Sequence, residues 1–133
     1  MRDLRVLIVD DNRVFLGAAR DFVANLPGVE CVECAKSGAE APSKAAEFHP
    51  DLVLMDIAMP GMSGIETMFI LRSRFPALRM YAVSLHDTAG YRAAALKCGA
   101  VDLISKDNFA TAIPNLIAQL ARDGDVPIES GTP

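Results

Sequence analysis

The sequence predicts an α/β fold: an open parallel sheet with helices on both faces. Two observations carry this. Apolar, strand-like runs recur along the chain with helix-periodic segments between them, and the first and third runs are apolar at nearly every position. A strand covered on both faces has no solvent side and need not alternate, and such strands joined through helices make parallel βα units with right-handed crossovers.

The elements follow in order. "LRVLIV" at 4–9 is the first strand, and 12–26 is a helix whose stripe is Phe15, Ala18, Ala19, Phe22, Val23 and Leu26, stopped by Pro27-Gly28. "VECVEC" at 29–34 is the second strand. Ser37 and Glu40 then stand at capping-box spacing, and Pro42 demands that the next helix either start near it or bend. "LVLM" at 52–55 is the third strand, and Ile65, Met68, Phe69 and Leu71 give the apolar face of a helix at 64–75, before Pro76. "RMYAVS" at 79–84 is the fourth strand, followed by an Ala-rich helix at 87–97 that ends at Gly99. "VDLIS" at 101–105 is the fifth. Ile113, Leu116, Ile117 and Leu120 mark a last helix over 111–121, which places Pro114 in its first turn, where a missing N–H does no harm. Residues 1–121 read as one domain, and the Gly- and Pro-containing 122–133 as a flexible tail or truncated linker.

Composition narrows the function. The 133 residues suit a single domain, and with 51% hydrophobic and 23% charged residues the chain is globular. A net charge of −4 without any Lys/Arg run argues against a nucleic-acid surface in this chain. No apolar stretch approaches the roughly 20 residues that span a bilayer, so no membrane segment is expected. The opening "MRDLRVLIVDD" mixes charge into its apolar residues, unlike a secretory signal, which points to a cytoplasmic protein. Cys31 and Cys34 match C-x-x-C, yet a separation of three along a strand puts their sulfurs on opposite faces, and no second ligand pair exists; these are ordinary strand cysteines.

The polar residues at the strand ends are the informative ones. In such a sheet, ligands gather beyond the carboxyl ends of the strands. The first strand ends in Asp10 and Asp11, the third in Asp56, the fourth in Ser84 and the fifth in Lys106. A carboxylate at the end of a buried strand is costly to desolvate unless a positive group or hydrogen-bond donors meet it. Clustered carboxylates call for a divalent cation, and an all-oxygen donor set with room for water suits Mg²⁺. One carboxylate can attack phosphorus to give an acyl phosphate, with the Lys106 ammonium and the Ser84 hydroxyl meeting the phosphoryl oxygens. The set therefore describes a phosphoryl-transfer site.

The motifs "VLIVDDN", "DLVLMDIAMPGMSGIE", "VS" at 83–84 and "KCGAVDLISK", with the spacings between them, resemble the receiver domain of bacterial two-component response regulators over about residues 4–121. The resemblance implies a flavodoxin-like sheet of order 2-1-3-4-5. It implies that Asp56 is the phosphoacceptor, Asp11 a direct Mg²⁺ ligand, Asp10 a ligand acting largely through water, and Ala58 the residue whose backbone carbonyl completes the metal site. Ser84 becomes the switch hydroxyl and Lys106 the phosphate-binding lysine. The implied partners are a sensor histidine kinase or histidine phosphotransfer protein, an output domain or downstream protein on the 87–121 face, and a second copy in a phosphorylation-dependent homodimer. "LHD" and "SKD" resemble the subgroup linked to helix-turn-helix output domains.

The sequence departs from the family pattern at Leu103, where receivers often carry an aromatic residue, and at Leu85, where the residue after the hydroxyl is usually small. The pair suggests a variant switch surface around the 84–87 loop. Ala58 and His86 occupy the positions that tune dephosphorylation, and neither is an acid or amide that readily orients water, so slow loss of phosphate is expected. Such a domain assists its own phosphorylation and turns over no external substrate. Three alternatives stand beside it: the receiver fragment of a DNA-binding transcription regulator, a haloacid-dehalogenase-type phosphotransferase, and a degenerate docking module. The phosphotransferase would place its acids as D-x-D on the first strand, where this chain has "VDDN".

Overall fold

The structure, a computed structural model, describes residues 3–58, 64–85 and 89–123. Within them the chain runs β1 (Leu4–Val9), α1 (Arg13–Ala24), β2 (Val29–Ala35), α2 (Ala41–Phe48), β3 (Leu52–Asp56), α3 (Gly64–Arg74), β4 (Arg79–Ser84), α4 (Ala89–Lys97), β5 (Asp102–Ser105) and, after a 3-10 turn at Lys106–Asn108, α5 (Phe109–Asp123). All neighbouring strands pair parallel in the order β2-β1-β3-β4-β5. That is the flavodoxin-like order the sequence implied.

The sheet divides the core in two. Leu7, Val9, Val53, Met55, Met80 and Leu103 face a layer with Met68 and Leu71 of α3, while Val6, Ile8, Leu52, Leu54 and Val83 face one with Val23 of α1 and Ile113 and Ile117 of α5. Strands β1 and β3 contribute to both layers, which is why their sequences are apolar throughout.

Four details depart from the sequence reading. Leu16, absent from the predicted stripe of α1, is buried, and Ala18 is exposed, so the stripe is rotated by a fraction of a turn. Phe69 of α3 is 64% exposed, and Thr67 with Met68 and Leu71 takes the inner face instead. Pro114 lies beyond the first turn of α5, because the helix begins earlier than Thr111. The Ser105 hydroxyl accepts from the Asp107 N–H at 3.2 Å and starts the 3-10 turn, which runs directly into Phe109. The open choice at Pro42 resolves as a helix starting at Ala41, with the proline in its first turn. The Ser37 hydroxyl accepts from the Glu40 N–H at 3.2 Å, and the Glu40 carboxylate accepts from the Lys36 N–H at 3.2 Å, ahead of the helix.

Cys31 and Cys34 are both free, as expected for opposite faces of β2. Cys34 packs into the α1/α5 layer, where burial chiefly pushes its thiol above the ordinary range. Among the described residues no helix is long and apolar enough to cross a membrane.

Candidate functional site

Register delivers the site residues. Val9 pairs with Met55, so Asp10 and Asp56 emerge side by side, one residue further on. Asp56 pairs with Val83, and Ser84 pairs with Ser105, so Lys106 leaves the sheet on the same edge. Strand direction and register together collect these residues at the carboxyl ends.

Asp10 and Asp56 are 1% and 5% exposed, Ser84 is fully buried, and Asp11 is open to solvent. Carboxylate oxygens of Asp10, Asp11 and Asp56 lie within 4.8 Å of one another. The Lys106 ammonium stands 2.8 Å from Asp10 Oδ2 and 3.5 Å from Asp56 Oδ2. Two carboxylates thus face one ammonium, with the Asp11 carboxylate grouped beside them. Asp10 Oδ1 accepts from the Asn12 N–H at 2.8 Å, whereas its buried Oδ2 accepts no hydrogen bond of good geometry and is balanced by charge alone. The Asn12 side chain in turn accepts from the Phe15 N–H and caps α1.

Asp56 is held by the Ala58 N–H, which donates to Oδ1 at 3.0 Å. Burial pushes the Asp56 carboxyl above the ordinary carboxylate range and the Asp10 charge adds to this, while the Ala58 N–H and the Lys106 ammonium pull it back. An all-oxygen cluster with a surplus of negative charge, one orphaned buried oxygen and one solvent-facing member fits a small hard cation that keeps part of its water.

Gly64 explains the Gly of "MSGIE". A Cβ there would stand 2.2 Å from the Asp56 carbonyl oxygen and 2.6 Å from Ile57 Cα, so α3 can start against the end of β3 only without a side chain.

The expected residues therefore meet at one edge: Asp10, Asp11, Asp56 and Lys106 with the distances above, and Ser84 buried at the end of β4. The two leucines are unlike. Leu103 is buried in the α3 layer, while Leu85 is 63% exposed beside Ser84. His86, part of the 84–87 loop and the start of the 87–121 face lie outside the described residues, as does most of the 122–133 tail. One neighbour of the site was read from the sequence as core alone: the ring of Phe15, whose centroid is 4.4 Å from the Lys106 ammonium. Spacing gives no sign of it, since Phe15 also satisfies the helix stripe.

A family model described as the response regulator receiver domain matches residues 6–118. The protein-glutamate methylesterase/protein-glutamine glutaminase of Thermotoga maritima is 34% identical over 126 residues, covering 90% of this chain and 37% of that protein. The transcriptional regulatory protein DegU of Brevibacillus brevis is 30% identical over 121 residues, covering 91% of this chain and 51% of that protein. The crystal structure of the response regulator domain of Thermotoga maritima CheB superposes with a TM-score of 0.79 at 33% identity, covering 95% of this chain and 99% of that one. The chain thus spans about half or less of the length of these two curated relatives.

Proposed function

Because this chain belongs to the response regulator receiver domain family, we propose that it accepts a phosphoryl group on Asp56 from a histidine kinase or a histidine phosphotransfer protein, with Mg²⁺, and passes the change of state to a partner. The single observation behind this reading is the buried Asp56 carboxylate, grouped with Asp10 and Asp11 within 4.8 Å and 3.5 Å from the Lys106 ammonium. A carboxylate oxygen of Asp56 attacks phosphorus, the bond from the donor nitrogen to phosphorus breaks, and an acyl phosphate forms. The Ala58 N–H keeps the carboxylate plane fixed, and Lys106 meets the phosphoryl oxygens as a point charge. Bound at Asp10, Asp11, Asp56 and the Ala58 carbonyl, Mg²⁺ would offset the crowded negative charge. Ser84, at the end of β4, would supply the hydroxyl that answers the phosphoryl group.

In this reading the domain changes state and turns over no external substrate. The family match and the adjacent acids of "VDDN" set aside the haloacid-dehalogenase alternative. The relatives include a methylesterase and a transcriptional regulator, each much longer than the matched region, which supports an input role whose output class differs from protein to protein. The test is intact mass after incubation with a small phosphodonor and Mg²⁺. Wild type gains one phosphoryl group and Asp56→Asn gains none; equal gain in both defeats the assignment.

A further inference from the structure

The Lys106 ammonium has three walls. Asp10 Oδ2 lies at 2.8 Å, Asp56 Oδ2 at 3.5 Å and the centroid of the Phe15 ring at 4.4 Å. The Lys106 side chain is only 10% exposed, so these walls leave it little water. The ring is itself braced. Phe109 meets it edge-on, with centroids 5.3 Å apart and planes at 78°, and Phe22 backs Phe109 at 6.4 Å. The brace closes on the lysine's own backbone, because the Phe109 N–H donates to the Lys106 carbonyl across the 3-10 turn.

A lysine is a compact charge on a flexible stem, and its ammonium can rotate and swing. An aromatic face attracts a cation yet accepts no strong hydrogen bond, so a ring on one side turns the N–H donors toward the other. Here the other side is the pair of carboxylates.

We propose that Phe15 is a positioning residue for phosphoryl transfer: its braced ring face holds the Lys106 ammonium over Asp56 and aims its N–H donors at the incoming phosphoryl oxygens. The proposal rests on Asp56 being the phosphoacceptor. A purely space-filling Phe15 would be served as well by leucine. A positioning ring would not, because leucine fills much of the volume and lacks the electron-rich face.

The test compares Phe15→Leu and Phe15→Tyr in wild-type and Lys106→Met backgrounds, reading the rate of phosphorylation by a small phosphodonor with Mg²⁺. Phe15→Leu slows the reaction by about 3- to 10-fold, as expected for losing a partly desolvated cation–ring contact. Phe15→Tyr recovers most of that loss, and in the Lys106→Met background the effect of Phe15→Leu disappears, since the two changes act through one contact. A second readout needs neither donor nor metal: the Lys106 ε-methylene protons lose their ring-current displacement in Phe15→Leu and keep it in Phe15→Tyr. Equal rates for the two variants, an undiminished effect without the lysine, or ε-protons that ignore the substitution would each overturn the proposal while phosphate still appears on Asp56. Phosphate on another residue of the wild type would instead overturn the functional reading.

Discussion

Two cations sit at opposite poles of the sheet, each against a phenylalanine ring at 4.4 Å, and they are used differently. Arg5, near the amino-terminal end of β1, spreads its donors widely. Its Nε and Nη2 donate to the Phe48 carbonyl at 3.0 and 2.7 Å, its Nη1 to Glu30 at 2.8 Å, and its backbone N–H to Asp51 at 2.9 Å. The Phe48 carbonyl is one of those at the end of α2 that a helix leaves without an intrahelical donor, and a cation there is also favoured by the helix dipole. At the other pole Lys106 faces more negative charge than it can match, and Asp10 Oδ2 is left without a good hydrogen bond. A planar fork completes a fixed set of bonds; a point charge leaves acceptors open for something else. The satisfied pole stitches β1, β2 and α2 together. In the function proposed above, the unsatisfied pole is the one that receives a cation and a phosphoryl group.

The comparison breaks if either cation does the other's work. Lys106→Met has the largest expected effect, a fall of about 10²-fold or more in phosphorylation rate, since it removes charge from the developing phosphoryl oxygens. A loss below threefold, measured with the same phosphodonor, would place Lys106 among structural residues. Arg5→Ala comes next: it strands the Phe48 carbonyl and strips the ring of its cation, and costs about 2 kcal/mol in urea unfolding. The folded variant phosphorylates at the wild-type rate; a slowed rate would mean that the poles communicate.

The smallest effect sharpens the contrast. Burial chiefly raises the Asp56 carboxyl in the metal-free domain. A raised acid favours the folded state below its unfolded value, and that contribution is lost as pH climbs through the folded value. With chelator present, Asp56→Asn therefore melts slightly above wild type at neutral pH, and the gap closes in mild acid. Adding Mg²⁺ raises wild type more than the variant, because the cation favours the ionised carboxylate. Thermal unfolding across pH checks the sign, and a variant less stable at neutral pH would show that Asp56 supports the fold.

The strands were legible because the sheet imposes one requirement on each of them, burial on one or both faces, and the acids were legible because they interrupt the apolar run at its end. Helices were read less well. On α1 the stripe missed Leu16 for Ala18, since small residues suit either side of a helix and periodicity cannot choose between them. Phe69 turns outward because Thr67 and Met68 complete the inner face of α3, a choice made by packing partners far away in sequence. The start of α5 depended on the Ser105 hydroxyl, a local bond that competes with the proline signal. The site residues came from different strands and still assembled, because a parallel sheet brings the carboxyl ends of all its strands to one edge. The contacts of Arg5 and Phe15 were invisible, each hidden inside an element whose pattern already explained it.

The rims of the sheet carry a last consequence. The outer strands are β2 and β5, and β5 has only 4 residues. On β2 the acids Glu30 and Glu33 are exposed between partly covered apolar positions, and from within the same chain Arg5 pairs with the first and Lys44 of α2 with the second. A strand added along that border would have to fit around these charged side chains, so edge-to-edge pairing through β2 is discouraged.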